Sequence, residues 1–213
     1  MTLRPAGRAL VVALAAAIAA SACASDPKRT GAPAATRAAP HSVIVFGSGV
    51  TVGDRLDDAI RDAWPRLVFD ESFPLGSILV NAAMRHATFA TALTDQLPLA
   101  ASTRPDTALI WLGLNDVYAG ETPATVAAAA TALVTALERS GTRRVLIANL
   151  PTVDGGRSVA ATNLALGRAA ARDGAVTVDL SALHVTADDS GDVVPTKALH
   201  RRVADAFERA LRG

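Results

Sequence analysis

The residues that could perform nucleophilic chemistry stand in short segments that follow apolar runs. Ser48 lies within the sequence GSGVT at residues 47–51, and the pair Asn115 and Asp116 follows the apolar run at residues 107–112. A serine hydroxyl attacks a carbonyl only when a base takes its proton and an acceptor orients that base. Asn and Asp after a strand are by themselves typical of a turn. A hydrolytic site in this chain would therefore need a histidine and an acidic residue close to the serine.

Four histidines are the candidate bases. His184 follows the last short apolar run, and His200 stands early in the last predicted helix, where its expected role is packing. We expect His86 to be a packed or solvated side chain in mid-helix, and His41 precedes the folded part. His184 and His200 remain the two candidates for a base that would act on Ser48.

An acidic segment near the end of the chain offers the candidate acceptors. Asp188, Asp189 and Asp192 lie within eight residues of His184. A solvated surface loop is the expected structure of this segment. Asp192 is the candidate for an acceptor that orients a base, although no histidine follows it at a short offset.

The elements that must position these residues alternate along the chain. Short apolar runs predict strands at residues 43–46, 67–69, 107–112, 145–150 and 176–178. Spaced apolar residues and capping signals predict helices from Val52 to Pro65 and at residues 77–97, 122–140, 158–172 and 196–211. Apolar strands that alternate with helices indicate a parallel sheet covered on both faces. The predicted fold is a three-layer α/β/α sandwich with five parallel strands and a crevice at their carboxyl ends.

Several segments together resemble the SGNH (GDSL) hydrolases. These are RPDTALIWLGLND at residues 104–116, VLIANLP at 145–151, Asn163, VDL at 178–180 and PTKALHRRVADAF at 195–207. The similarity extends from about residue 42 to residue 211. The resemblance implies the flavodoxin-like SGNH fold and ester hydrolysis by a serine, a histidine and an aspartate, with a glycine and an asparagine that bind the oxyanion.

The catalytic positions of that family are mostly substituted here. GSGVT stands where the family has GDSxT, so Gly49 occupies the position of the nucleophile. GDVVP at residues 191–195 stands where the family has DxxHP, which places Gly191 and Val194 at the positions of the acid and the base. Asn115 alone matches, at the oxyanion position, and we expect it to face the crevice.

Two further details of the family pattern stay open. The glycine block at residues 72–77 offers Gly76 as an oxyanion residue, while an equally good register puts Leu75 there. Ser48 lies one residue before the nucleophile position and could replace it, although its expected role is to cap the turn or the following helix.

The first 40 residues resemble an export signal followed by a tether. Residues 1–22 contain Arg4 and Arg8 and then twelve apolar residues, which is typical of a signal peptide. The sequence ASAC ending at Cys23 resembles a lipobox, so we expect a lipidated Cys23 that anchors the protein to a membrane of the cell envelope. Cleavage after Ala22 by ordinary signal peptidase, giving a secreted soluble protein, is the alternative. Residues 23–40 then form a flexible linker, and residues 41–213 form the folded domain.

Composition excludes several classes of function. A formal net charge of +1 gives no electrostatic basis for nucleic-acid binding. The single cysteine cannot form an internal disulfide or a zinc site, and we find no metal or cofactor motif. The sequence therefore predicts a catalytically degenerate binding or scaffold module with a small ester or glycan as ligand. An active ester hydrolase that uses Ser48, or an accessory protein without a ligand, is the alternative.

Overall fold

A five-stranded parallel sheet lies at the centre of residues 39–213, the part of the chain that the computed structural model describes. Its spatial order is β2-β1-β3-β4-β6, and every neighbouring pair is parallel. The strands are β1 Ser42–Gly47, β2 Ile78–Asn81, β3 Thr107–Trp111, β4 Arg144–Ala148 and β6 Val176–Val178. A separate parallel pair consists of β5 Thr152–Val153 and β7 His184–Val185.

Helices cover both faces of this sheet. They are α1 Gly49–Val52, α2 Ala59–Asp62, α3 Trp64–Ser72, α4 Phe89–Thr91, α5 Leu97–Thr103, α6 Leu114–Ala119, α7 Pro123–Arg139, α8 Ala160–Arg172 and α9 Lys197–Arg212, with a π-helical turn at Ala92–Gln96. Helices α3 and α9 pack together through Trp64 and Phe207, whose rings stack with centroids 4.5 Å apart. Helices α7 and α8 form a second packed pair. Every residue of β3 is buried, as a strand covered on both faces must be, and the predicted three-layer sandwich is confirmed.

The prediction for residues 52–69 is wrong in two places. The helix expected from Val52 to Pro65 is divided into α1 and α2 by a turn at Gly53 and Arg55, whose φ angles are 89° and 63°. The strand expected at residues 67–69 belongs to α3. Pro65 lies in the first turn of α3, where a proline loses no helical hydrogen bond, so it begins a helix rather than ending one.

The prediction for residues 77–97 is wrong for residues 77–88 and confirmed for residues 89–97. Strand β2 occupies Ile78–Asn81 and a loop follows it, whereas α4, the π-helical turn and the start of α5 are helical as expected. Pro98 lies in the first turn of α5 instead of ending a helix. Residues 78–81 pair with the edge of β1 that β3 leaves open. A tertiary contact therefore overrides the local pattern and moves residues 82–88 to the carboxyl end of the sheet.

The helices whose first turns carry clear capping residues, α7 and α9, lie where the sequence predicts them. Thr122 caps α7 by accepting a hydrogen bond from Thr125 N, and Thr196 caps α9 by accepting one from Leu199 N. Within residues 39–213, no helix is both long and apolar enough to cross a membrane. The signal peptide predicted at residues 1–22 and the predicted lipidation at Cys23 lie outside the described residues.

Candidate functional site

A crevice of about 210 Å³ opens at the carboxyl ends of β1 and β2. Gly49 comes to it from the turn after β1, and Arg85 and His86 come from the loop after β2. The rest of its lining consists of Asp54, Arg55, Asp188, Asp192, Val193 and Pro195. The crevice thus lies where open α/β sheets usually bind ligands.

The turn after β1 is fixed by a buried amide. Gly47 N donates to Gln96 Oε1 over 3.2 Å, and Gln96 Nε2 donates to Gly47 O over 3.0 Å. A Cβ on Gly47 would lie only 2.1 Å from Thr51 Oγ1, so this position accepts glycine alone. The chain therefore turns sharply at the end of β1 and brings residues 48 and 49 to the floor of the crevice.

Gly49, at the position of the family nucleophile, leaves little space for a side chain. A Cβ there would lie 2.9 Å from Asp54 Oδ2 and 3.1 Å from Asp192 Oδ2. Two carboxylates therefore converge on the point where a nucleophilic side chain would begin.

Ser48 performs neither of the roles expected of it. It stands at the N-cap of α1, yet its side chain makes no capping hydrogen bond, so the expected cap is wrong. Ser48 is 8% exposed, and its Oγ has no hydrogen-bond partner among residues 39–213. No histidine of the described chain is hydrogen-bonded to it.

His200 is a packing residue on α9. Its ring is fully buried, and Nδ1 accepts a hydrogen bond from Trp64 N over 3.1 Å. Burial lowers the pKa of His200 to about 4, so the ring is neutral at neutral pH. Its Nε2 is buried without a hydrogen-bond partner among residues 39–213. The structure does not bring His200 into the lining of the crevice.

His184 forms its own surface pair. Its Nδ1 lies 2.8 Å from Asp154 Oδ1, and both side chains are more than half exposed. The pair sits on the small sheet formed by β5 and β7, and neither residue lines the crevice. The structure therefore brings neither His184 nor His200 to Ser48 as a base.

The histidine that reaches the crevice is His86. Its Nδ1 lies 2.9 Å from Asp192 Oδ2, and its side chain is 63% exposed. Its φ of 57° is in the left-handed region, which non-glycine residues adopt rarely and at a cost. The expectation that His86 lies in mid-helix is wrong, because residues 82–88 form the loop after β2. A correct prediction of β2 would have placed His86 in this loop, but the sequence patterns did not predict that strand.

Asn115 holds the carboxylate of this pair instead of facing the crevice. Its Nδ2 donates to Asp192 Oδ1 over 3.1 Å and to Ser190 O over 3.0 Å. Both amide hydrogens are therefore used within the protein. Asn115 is 5% exposed. It offers no donor to an oxyanion, and it positions Asp192 and the loop that carries it.

The acidic segment forms a compact surface loop in which Asp189 and Ser190 are exposed, as expected. The Asp188 carboxylate accepts hydrogen bonds from Ser190 N, Ser190 Oγ and Asp192 N. The hydrogen bond from the Ser190 hydroxyl is the main cause that lowers the pKa of Asp188. Gly191 completes the loop with a φ of 87°.

Of the other two substituted positions, Gly191 disfavours any side chain. A Cβ on Gly191 would lie 2.9 Å from Tyr118 atoms, and its positive φ also disfavours a side chain. Val194, at the position of the family histidine, is half-buried and donates its N–H to Thr186 O over 2.8 Å. Asp192, one position after Gly191, lines the crevice together with Asp54 and Asp188.

Gly76 is far from a role in the crevice. It forms the turn that precedes β2, with a φ of 91°, and its nearest neighbour is Pro40. This turn lies at the amino end of β2, whereas the crevice lies at the carboxyl end. The assignment of Gly76, or of Leu75 beside it, to an oxyanion site is therefore wrong.

Two further contacts shape the crevice and escaped the sequence analysis. Arg85 binds Asp54 through Nε over 2.7 Å and through Nη2 over 2.8 Å. Asp116 accepts hydrogen bonds from Phe89 N at 3.1 and 3.2 Å and so ties the end of the β2 loop to the turn at Asn115. Burial raises the pKa of Asp116 to about 6.

Solved structures of esterases share this fold. A structure described as TesA has a TM-score of 0.67 at 23% identity, over 80% of this chain and 98% of that chain. The acetylxylan esterase Axe2 from Geobacillus stearothermophilus has a TM-score of 0.65 at 17% identity, over 80% and 94%. A lipolytic protein of the G-D-S-L family from Veillonella parvula has a TM-score of 0.64 at 16% identity, over 79% and 96%.

Sequence comparison identifies the family. No curated protein matches the chain significantly. The profile of the GDSL-like lipase/acylhydrolase family matches residues 42–202, which is most of the part that the structure describes. The order of strands and the position of the crevice agree with that match. This chain belongs to the GDSL-like lipase/acylhydrolase family.

Proposed function

We propose that this chain is a catalytically degenerate member of its family that acts as a binding module in the cell envelope. The observation that carries the proposal is the environment of Gly49, where the carboxylates of Asp54 and Asp192 take the place of a nucleophile. A carboxylate pair at that point repels the negative charge that develops in acyl transfer.

The other parts of acyl-enzyme chemistry are missing from the crevice as well. Asn115 donates both of its amide hydrogens, one to Asp192 and one to Ser190. The Nδ1 atom of His86 lies 2.9 Å from Asp192 and 3.2 Å from Ser190 Oγ. A serine, its base and its acceptor need two different ring nitrogens. Loss of one triad member costs on the order of a million-fold in a serine protease, so loss of all three supports a binding role.

Ester turnover tests the degenerate site directly, because the structural neighbours include esterases. We expect the purified full chain to hydrolyse p-nitrophenyl acetate no faster than a blank without protein. Ser48→Ala and Ser190→Ala serve as matched variants, since these serines lie nearest to the nucleophile position and to His86. A burst of product that either variant abolishes would overturn the proposal in favour of an active ester hydrolase.

We also propose that a lipid on Cys23 anchors the domain, as the lipobox-like sequence before it indicates. Cys23→Ala should move the protein from the membrane fraction of the producing cell to the soluble exported fraction. Cys23→Ser has the same expected effect, because a lipid thioether needs the sulfur. Unchanged membrane association of both variants would contradict the anchor and favour the secreted soluble form.

A further inference from the structure

We propose that the crevice binds a neutral polyhydroxyl ligand of about one sugar unit, held by the paired charged side chains of Asp54–Arg85 and Asp192–His86. This inference rests on the proposed function, because it names the class of ligand that the binding module takes. It chooses between the two ligand classes that the sequence leaves open, a small ester and a glycan.

The charges of the crevice wall compensate one another. Arg85 is bound to Asp54 by two hydrogen bonds of 2.7 and 2.8 Å, and His86 Nδ1 lies 2.9 Å from Asp192 Oδ2. In the whole lining, three carboxylates stand against two guanidinium groups and one imidazole. An ion gains little from such a wall, because attraction to one member of each pair is offset by repulsion from the other.

The floor of the crevice disfavours esters and anions. Asp54 Oδ2 and Asp192 Oδ2 both lie about 3 Å from the point where a Cβ of Gly49 would be. A carbonyl oxygen, a carboxylate or a phosphate placed there would meet negative oxygens. The amide of Asn115, the family's donor at this place, is already bound to Asp192 and Ser190.

Hydroxyl groups fit the atoms that remain open. Within residues 39–213, His86 Nε2 and Arg85 Nη1 make no hydrogen bond, so the wall offers two open nitrogen atoms beside its carboxylates. The Asp54 and Asp192 oxygens have further lone pairs. A hydroxyl donates one hydrogen bond and accepts up to two, so neighbouring hydroxyls on one ring can satisfy both kinds of group. Because Asn115 fixes Asp192 in advance, little ordering is needed on binding.

The volume and the apolar wall residues of the crevice limit the size and the polarity of the ligand. Its volume of about 210 Å³ is below the ~300–1,000 Å³ of pockets for drug-sized ligands, which limits the occupant to a unit the size of one sugar ring. Val193 and Pro195 supply the apolar contact that a ring's C–H face needs. The crevice is open to solvent, so a longer chain can extend beyond it.

Binding of neutral oligosaccharides to the full chain tests the inference. The probes are xylotriose, cellotriose and N-acetylated chitotriose, with acetate, inorganic phosphate and methyl butyrate as the comparison ligands, all observed by saturation-transfer NMR. We expect at least one trisaccharide to give a signal that none of the comparison ligands displaces. If no trisaccharide binds, or if an anion or the ester binds in its place, the inference is wrong.

Two histidine variants locate the binding. His86→Asn removes Nε2 while keeping a residue that tolerates a left-handed φ, and it should weaken trisaccharide binding about tenfold or more. His184→Asn is the matched control, because His184 forms the same kind of histidine–aspartate pair outside the crevice. Equal affinities for both variants and the wild type would contradict the inference. Failure of the proposed function has a separate signature, ester turnover that depends on Ser48 or Ser190.

Discussion

At the scale of single residues, other side chains occupy the space beside two of the positions at which the family has catalytic residues. The space beside Gly49 is taken by Asp54 and Asp192, and the space beside Gly191 is taken by Tyr118. Asp192 lines the crevice from the position after Gly191, and Asn115 donates a hydrogen bond to it. We therefore expect the surroundings to be adapted to glycine at residue 49, so that a serine there would not by itself give ester turnover.

Gly49→Ser tests this adaptation. We expect the variant to remain without ester turnover and to lose about 1–2 kcal/mol of unfolding free energy, because the new Cβ crowds two carboxylates. Unfolding in urea and the p-nitrophenyl acetate assay measure the two effects. Gly167→Ser is the control, since a Cβ at Gly167 on α8 meets no atom within 4 Å. Restored turnover in Gly49→Ser would show that the crevice retains working catalytic parts.

At the scale of elements, two buried or half-buried amides fix the turns at the carboxyl ends of strands. Gln96 binds both the N–H and the C=O of Gly47 after β1, and Asn163 binds both groups of Leu150 after β4. Each amide replaces the sheet hydrogen bonds that end at the turn. Side chains from helical segments therefore hold the turn after β1, which reaches the crevice, and the turn after β4, which does not.

Gln96→Met removes one of these supports at similar size. The Gly47 N–H then lies buried without its partner, while Gly47 O keeps the hydrogen bond from Met84 N, so we expect a loss of about 1–3 kcal/mol in unfolding free energy. Urea unfolding measures the change. Asp95→Ala is the control, because Asp95 is exposed and should alter stability by less than about 0.5 kcal/mol. A Gln96→Met variant as stable as wild type would mean that the turn does not depend on the hydrogen bonds of Gln96.

At the scale of the whole molecule, two buried groups make opposite contributions to stability in acid. Burial raises the pKa of Asp116 to about 6, so acidification from pH 6 to 4 stabilises the folded state, which binds the proton more tightly than the unfolded chain does. Burial lowers the pKa of His200 to about 4, so acidification from pH 6.5 to 4 destabilises the folded state. Each contribution amounts to at most about 3 kcal/mol, and the two nearly cancel.

Two variants separate these contributions. His200→Asn keeps an acceptor for Trp64 N, and its stability should rise as the pH falls through this range. Asp116→Asn keeps an acceptor for Phe89 N, and its stability should fall. Wild-type stability should change little over the same range. Urea unfolding at several pH values gives the slopes, and parallel slopes for all three proteins would contradict the assignment.

The sequence by itself determined the fold class and the family. Strands with continuous apolar runs, such as β3, and helices with clear caps, such as α7 and α9, carry their signals within about ten neighbouring residues. The substitutions at Gly49, Gly191 and Val194 are visible because they lie beside segments that keep the family pattern. These features are local, so the chain reveals them without its contacts.

Only the tertiary structure decided where β2 lies and what fills the crevice. Residues 78–81 form a strand because β1 has an open edge, and this pairing carries Arg85 and His86 to the crevice. His86 and Asp192 are 106 residues apart in the chain, and Asn115 and Asp192 are 77 residues apart. Contacts at such separations are set by the packing of whole elements. The pattern that identified the family therefore could not show which side chains meet in the crevice.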